Sequence, residues 1–271
     1  QGLEAKPVVD RVNTLSPANT IQLRGSTTNC TINGNGIATV GLKLGILAGN
    51  HVYDTLISRV NGDGLRMVGT QNANIHNLHI SAGVINCITM IDEGTRAPGA
   101  NVIDGMSECG PHTGYSLDLE GTADAATHRA IYNHISGYQF EGNAFSTVTE
   151  QIHADFAYDN TINSALLALG PSVTETYTTR LTANTARNII STQAASVSGA
   201  SRPLLYNAGI DNVLELVSCG PPTSNCWAGA KAASTNDSPG TLRIIKPIGF
   251  FNDSMTIGGT APTKVYLEDA D

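Results

Sequence analysis

The chain has 271 residues, of which 14% are charged, and a formal net charge of −8 at pH 7. That balance argues against a nucleic-acid binder, because phosphate recognition needs clustered Lys and Arg. No stretch approaches the roughly 18 apolar residues needed to span a bilayer, so no membrane insertion is expected.

Glycine is frequent, at 28 residues, and Asn, Thr and Ser are plentiful, while Lys, Glu and Gln are scarce. No apolar run keeps helical spacing, so the composition points to β structure with many turns. Gln1-Gly2-Leu3-Glu4 lacks the basic and then apolar start of a signal peptide, and reads as a processed or truncated end.

Taken in chain order, residues 1–20 mix Pro7 and Pro17 with short apolar runs and read as an N-terminal cap or lead-in. Such a cap would cover the first pairing edge of a stack. Ile21 to Leu47 reads as the first coils, with Asn33-Gly-Asn-Gly36 as a bend where both residue types tolerate positive φ. Further coils are expected near 50–71, 72–96, 97–126, 127–150, 151–175 and 176–203. The clearest repeats end on Ser58, Ser81, Ser107 and Ser136, which are 23, 26 and 29 residues apart. Such steps suit stacked single-coil units better than helix-containing crossovers. The predicted layout is therefore an all-β stack over 21–217. A C-terminal loop and β cap, able to serve as an oligomerisation element, is expected over 218–271.

Five cysteines are present. Cys219 and Cys226 flank a loop of the right size for a local disulfide. Cys87 and Cys109 stand about one coil apart and are expected to stack as a buried apolar column rather than to bridge. Cys30 has no evident mate. No C-x-x-C pair exists, and His76 and His79, three apart on a strand, point to opposite faces, so no metal site is expected. Gly34-Asn-Gly36 and Gly62-Asp-Gly64 are turns and not phosphate loops, and no cofactor is expected.

With its serine register and Asn-rich bends, the chain resembles right-handed parallel β-helix proteins, the group of pectate-lyase-like enzymes and bacteriophage tailspikes. That resemblance implies a right-handed, single-stranded parallel β-helix with a three-sided coil and a long groove on one face. It also implies carbohydrate as the partner. The tailspike side of the resemblance adds a homotrimer and an extracellular or virion-surface location. The calcium-dependent pectate-lyase pattern does not match residue by residue and is not carried over.

Glycoside cleavage needs two carboxylates, one an acid and the other a base or nucleophile. Asp118 and Glu120, two apart on a predicted strand, are expected to face outward beside inward Leu117 and Leu119. Asp92 and Glu141 would extend an acidic patch across rungs. Asp155 shares the outward parity of Asp159, which reads as a bend residue. All seven histidines lie between 51 and 153. The serine register places His79 and His134 in one column. His134, Tyr132 and Arg129 could serve a lyase as proton-abstracting base and carboxylate-neutralising group. Tyr115, Tyr138 and Tyr158 are the candidate platforms for sugar stacking.

The segment 92–159 is thus expected to form one lateral wall. Three functions remain open. The first is a tailspike-like domain that binds, and can cleave, a surface polysaccharide. The second is a secreted monomeric hydrolase or lyase, and the third a non-catalytic adhesive β-helix.

Overall fold

The computed structural model describes residues 7–11, 26–45, 49–81, 84–105, 107–110, 112–141, 150–167, 177–194, 205–218, 230–232, 241–247, 258–259 and 264–270. Among them every regular element is a β-strand. One sheet stacks Pro7–Arg11, Val40–Leu44, Asp63–Val68, Asn86–Ile91, Tyr115–Glu120, Glu150–Asp155, Tyr177–Leu181, Leu205–Asn207, Ala230–Ala232 and Gly258–Gly259 in that order. The second sheet holds 12 strands, and His51–Ser58, Asn74–Ile80, His134–Glu141 and Thr161–Leu167 form its middle. All these pairings are parallel. Each turn of the chain gives one strand to each sheet, so hydrogen-bonded neighbours come from successive coils. A short third ladder, through Gln71, Gly99, Ile131, Tyr158, Ala186 and Ile210, completes a three-sided coil. The molecule is a parallel β-solenoid.

Strand alternation explains the core. In the first sheet Leu42, Leu65, Ile88, Leu117 and Ile152 stack in register, and Leu44, Met67, Met90, Leu119, Ala154 and Leu181 form a second inward column. All are almost fully buried. Each buried Leu, Ile or Met side chain contributes about 1.5–3 kcal/mol relative to exposure. Even-numbered neighbours such as Arg66 and Asp118 are left on the outer face.

The coil turns at a repeated two-residue bend. A residue at positive φ comes first: Gly49, Asn72, Ala100, Tyr132, Asp159, Arg187 and Asp211. The next residue is Asn50, Ala73, Asn101, Asn133, Asn160, Asn188 or Asn212. From Asn101 upward these asparagines form a buried ladder. The Oδ1 of Asn133 accepts from both the backbone N–H and the Nδ2 of Asn101, at 3.2 and 2.9 Å. Asn160, Asn188 and Asn212 repeat this one coil further on. The remaining amide proton goes to a main-chain carbonyl, as from Asn160 to Ala130 and from Asn188 to Ala157. Ala73 interrupts the column. Below it, both side-chain polar atoms of Asn50 have no hydrogen-bond partner among the described residues.

Several expectations are corrected. The serine register holds only for its first step, with Tyr53 opposite His76 and Ile57 opposite Ile80. His76 then faces Asp104, but His79 faces Glu108, so an extra residue between them shifts the frame. Ser107 turns inward and its hydroxyl accepts from Leu78 N–H. His134 aligns with Val102 and Thr161, not with His79, because the coil from Val102 to His134 is 32 residues long and not the 29 of the serine spacing.

Cys87 and Cys109 both lie in the core, but on different sheets: Cys87 is in Asn86–Ile91 of the first, Cys109 is in the second opposite Ile80, and a disulfide joins them across the coil interior, with Cα atoms 5.9 Å apart. The expectation of a stacked column without a bridge is corrected on both counts, because the two buried side chains face each other from different sheets at a Cα separation that a disulfide allows. Parallel pairing also continues beyond 217, where Thr241–Pro247 stacks on Val213–Ser218 and Lys264–Ala270 stacks on Thr241–Pro247. The expected Cys219–Cys226 bridge lies outside the described residues.

Candidate functional site

The outer face of the first sheet carries a column Lys43, Arg66, Thr89, Asp118, His153 and Arg180, one residue per coil. Glu120 and Asp155 form the adjacent column. Asp118 and Glu120 therefore share the outward face, as their spacing predicts, with Leu117 and Leu119 fully buried beneath them. The parallel register then adds a group that sequence spacing did not reveal. His153 sits directly over Asp118, its Nδ1 2.8 Å from Asp118 Oδ1 and 3.5 Å from Glu120 Oε1. The ring of Tyr115 stacks on that imidazole, with centroids 5.0 Å apart and planes 18° from parallel.

This packing makes the two carboxyl groups unlike. Asp118 is only 6% exposed and engaged by the imidazole N–H, whereas Glu120 is half-buried at the rim. Burial, then the negative charges of Asp118 and Asp155, push the Glu120 carboxyl above its ordinary value, against the opposing effect of His153. Asp155 accepts from the Thr182 hydroxyl and from Asn184 Nδ2 at 3.1 Å. It is thereby tied to the bend of the next coil.

The remaining candidates fall on other faces. Asp92 is buried just past the first sheet, with Thr122 Oγ1 at 2.7 Å and His128 Nδ1 at 2.6 Å. Burial pushes its carboxyl up, but the hydrogen bonds from His128, Thr122 and Gly94 outweigh that and hold it below the ordinary value. It anchors the Glu120–Thr127 insertion rather than lying open to a ligand.

Arg129, Tyr132 and Tyr158 lie on the third face. Arg129 packs 4.5 Å over the Tyr158 ring, and Tyr158 Oη donates to Asp124 at 2.7 Å. Burial and that carboxylate push the phenol up to about 12. Arg129 and Arg187 are paired with Asp124 and Asp159, which leaves neither guanidinium unmatched. Tyr132, at the bend, is 62% exposed.

His134, Tyr138 and Glu141 belong to the strand His134–Glu141 of the second sheet, and the side chains of Tyr138 and Glu141 lie outside the described residues. The expected single wall over 92–159 is thus divided, because each coil wraps all three faces. Of the named candidates, the structure brings together Asp118, Glu120, Tyr115 and Asp155, and adds His153. His134 and Tyr132 do not join them.

The second sheet holds a separate grouping. Tyr53 Oη lies 3.0 Å from His51 Nδ1, and His76 Nδ1 lies 2.7 Å from Asp104 Oδ1. His112 is buried beside the disulfide, 2.8 Å from Ser116 Oγ, and burial pushes its imidazole down.

Fold and site together define a parallel β-solenoid with an acidic, aromatic-flanked cluster on one outer sheet. No protein-family model matches the chain, and no curated protein matches it in sequence.

Proposed function

We propose that this solenoid is a carbohydrate-binding domain of the tailspike-like kind that cleaves a surface polysaccharide at Asp118 and Glu120. One observation carries the reading: the two carboxyl groups approach, with His153, to within 4.8 Å, beside the stacked Tyr115 and His153 rings. Paired carboxylates are the machinery of glycoside hydrolysis, and a separation of about 5 Å is the retaining geometry. Sugars dock on aromatic faces, which Tyr115 offers next to the pair.

In this reading Glu120 is the general acid, since it holds its proton more tightly than an ordinary glutamate. Asp118 is the group that meets the positive charge developing on the sugar ring. Because Asp118 is nearly covered, the reaction requires the Tyr115–His153 pair to move aside as the glycan enters.

The test is a panel of bacterial and plant polysaccharides assayed for new reducing ends and for unsaturated uronate. Reducing ends without unsaturation support hydrolysis. Glu120→Gln and Asp118→Asn should each lower turnover by about a hundredfold or more. Full turnover in both variants removes the pair from catalysis, and unsaturated products transfer the reading to a lyase. The tailspike-like form of the proposal also expects a trimer, with a light-scattering mass three times the 28.3 kDa of one chain.

A further inference from the structure

Among the described residues, two groups of metal-ligating side chains converge. The first, Cys87, Cys109 and His112, has its two sulfurs bonded to each other. The second is Asp118, Glu120 and His153, whose nearest oxygen and nitrogen atoms all lie within 4.8 Å. Two of their three spacings are close to those of a coordination shell. An ion bonded at about 2.1 Å sets its donors about 3.0 Å apart in an octahedron and about 3.4 Å apart in a tetrahedron. His153 Nδ1 lies 2.8 Å from Asp118 Oδ1 and 3.5 Å from Glu120 Oε1.

A second observation is independent of these three. Thr89 stands directly beside Asp118 on the neighbouring rung of the same outward column. It is 4% exposed, and its hydroxyl has no hydrogen-bond partner among the described residues. A buried hydroxyl left unpaired costs about 1–3 kcal/mol, so its retention beside Asp118 calls for a partner. The charge balance points the same way. Among the described residues of these strands, Asp118, Glu120 and Asp155 bring three carboxylates to adjacent rungs, and the guanidinium of Arg180 stands in register with His153.

We propose that Asp118, Glu120 and His153 bind one divalent cation of the zinc type, completed by the Thr89 hydroxyl directly or through water. A donor set of one imidazole and two carboxylates suits Zn²⁺ and Co²⁺ better than an all-oxygen cage suited to Ca²⁺. The ion takes the position of the Nδ1 proton, and the imidazole then carries its proton on Nε2. The Tyr115 ring, stacked on His153, holds the imidazole plane in place. This site goes beyond the hydrolytic reading. Occupancy and acid catalysis exclude each other, because Glu120 cannot hold a metal and a proton on the same oxygens.

The test needs no glycan. The metal-free full chain is titrated with Co²⁺ while its visible absorption is followed, and Zn²⁺ is then added as competitor. Expected are saturation at one Co²⁺ per chain, full displacement by Zn²⁺, and at least tenfold weaker binding in Glu120→Gln and in Asp118→Asn. Thr89→Val should weaken binding by a smaller factor. No saturable binding, or unchanged affinity in Glu120→Gln, overturns the proposal. If Asp118→Asn fails to fold, Glu120→Gln decides alone, because its rim position keeps it clear of the core. Failure of the glycan panel leaves this result untouched, and failure here leaves the glycan panel untouched.

Discussion

The asparagine ladder at the bends and the acidic cluster on the outer sheet are both built from polar side chains stacked from coil to coil; the ladder is buried throughout, whereas the cluster has a buried column, Asp118 and His153, beside a half-buried one, Glu120 and Asp155. They differ in how their polar atoms are satisfied. Each amide from Asn133 to Asn188 receives two bonds at its oxygen and gives two from its nitrogen. Such a fully connected network stabilises the fold and offers nothing to a ligand. The cluster on the outer sheet instead crowds Asp118, Glu120 and Asp155 together and leaves the Thr89 hydroxyl without a partner among the described residues. A column that satisfies itself is scaffolding. A column that leaves charge and hydrogen-bonding capacity uncompensated is where an added group would be stabilised.

Breaking the ladder should produce the largest effect. Asn160→Ala removes two bonds accepted from Asn133 and two donated, to Ala130 and Asn188. It strands the buried Asn133 N–H, so a loss of about 3 kcal/mol is expected, read by chemical denaturation. A loss under about 1 kcal/mol would mean that the bends are held by backbone geometry alone.

The interruption at Ala73 permits the reverse experiment. Ala73→Asn places an oxygen above Asn50, whose amide has no partner among the described residues, at a bend whose preceding residue, Asn72, already has φ 51°. A gain of about 1 kcal/mol is expected from extending the network by one rung. A destabilised variant would show that the space above Asn50 is closed to a side chain.

The difference between the two columns was only half legible in the sequence. The Asn-Gly bends and coil-length steps announced the stacked parallel coils, and the parity of Asp118 and Glu120 gave their shared face. The ladder was not visible as a column because its members are 32, 27, 28 and 24 residues apart. Uneven insertions hide such a period. The same unevenness hid His153, which is 35 residues from Asp118 yet directly above it. A coil of 32 residues from Val102 to His134 took His134 out of the column of His79. Nor does a linear segment such as 92–159 map to one wall when each coil visits three. Cys87 and Cys109 misled for a related reason: their separation of 22 residues suggested neighbouring rungs of one column, but it falls short of the local coil and sets them on different sheets.

The smallest effect is the one that separates structural from functional polarity most cleanly. Glu120 binds its proton more tightly in the folded chain than its ordinary value of 4.5 would allow, chiefly through burial and then through Asp118. Below that value both folded and unfolded chains are protonated there, and the group imposes no penalty. As pH rises through the raised folded value, the unfolded chain gives up the proton more readily, so folding stability declines. Glu120→Gln has no proton to lose. It should therefore match the parent chain in denaturation midpoint at pH 4 and exceed it slightly at pH 8. A structural carboxylate of the Asp92 kind, held down by donors, would behave oppositely, and its replacement would cost stability at pH 8. A Glu120→Gln chain less stable than the parent at pH 8 would move Glu120 into the class of the ladder asparagines, as a group retained for the fold.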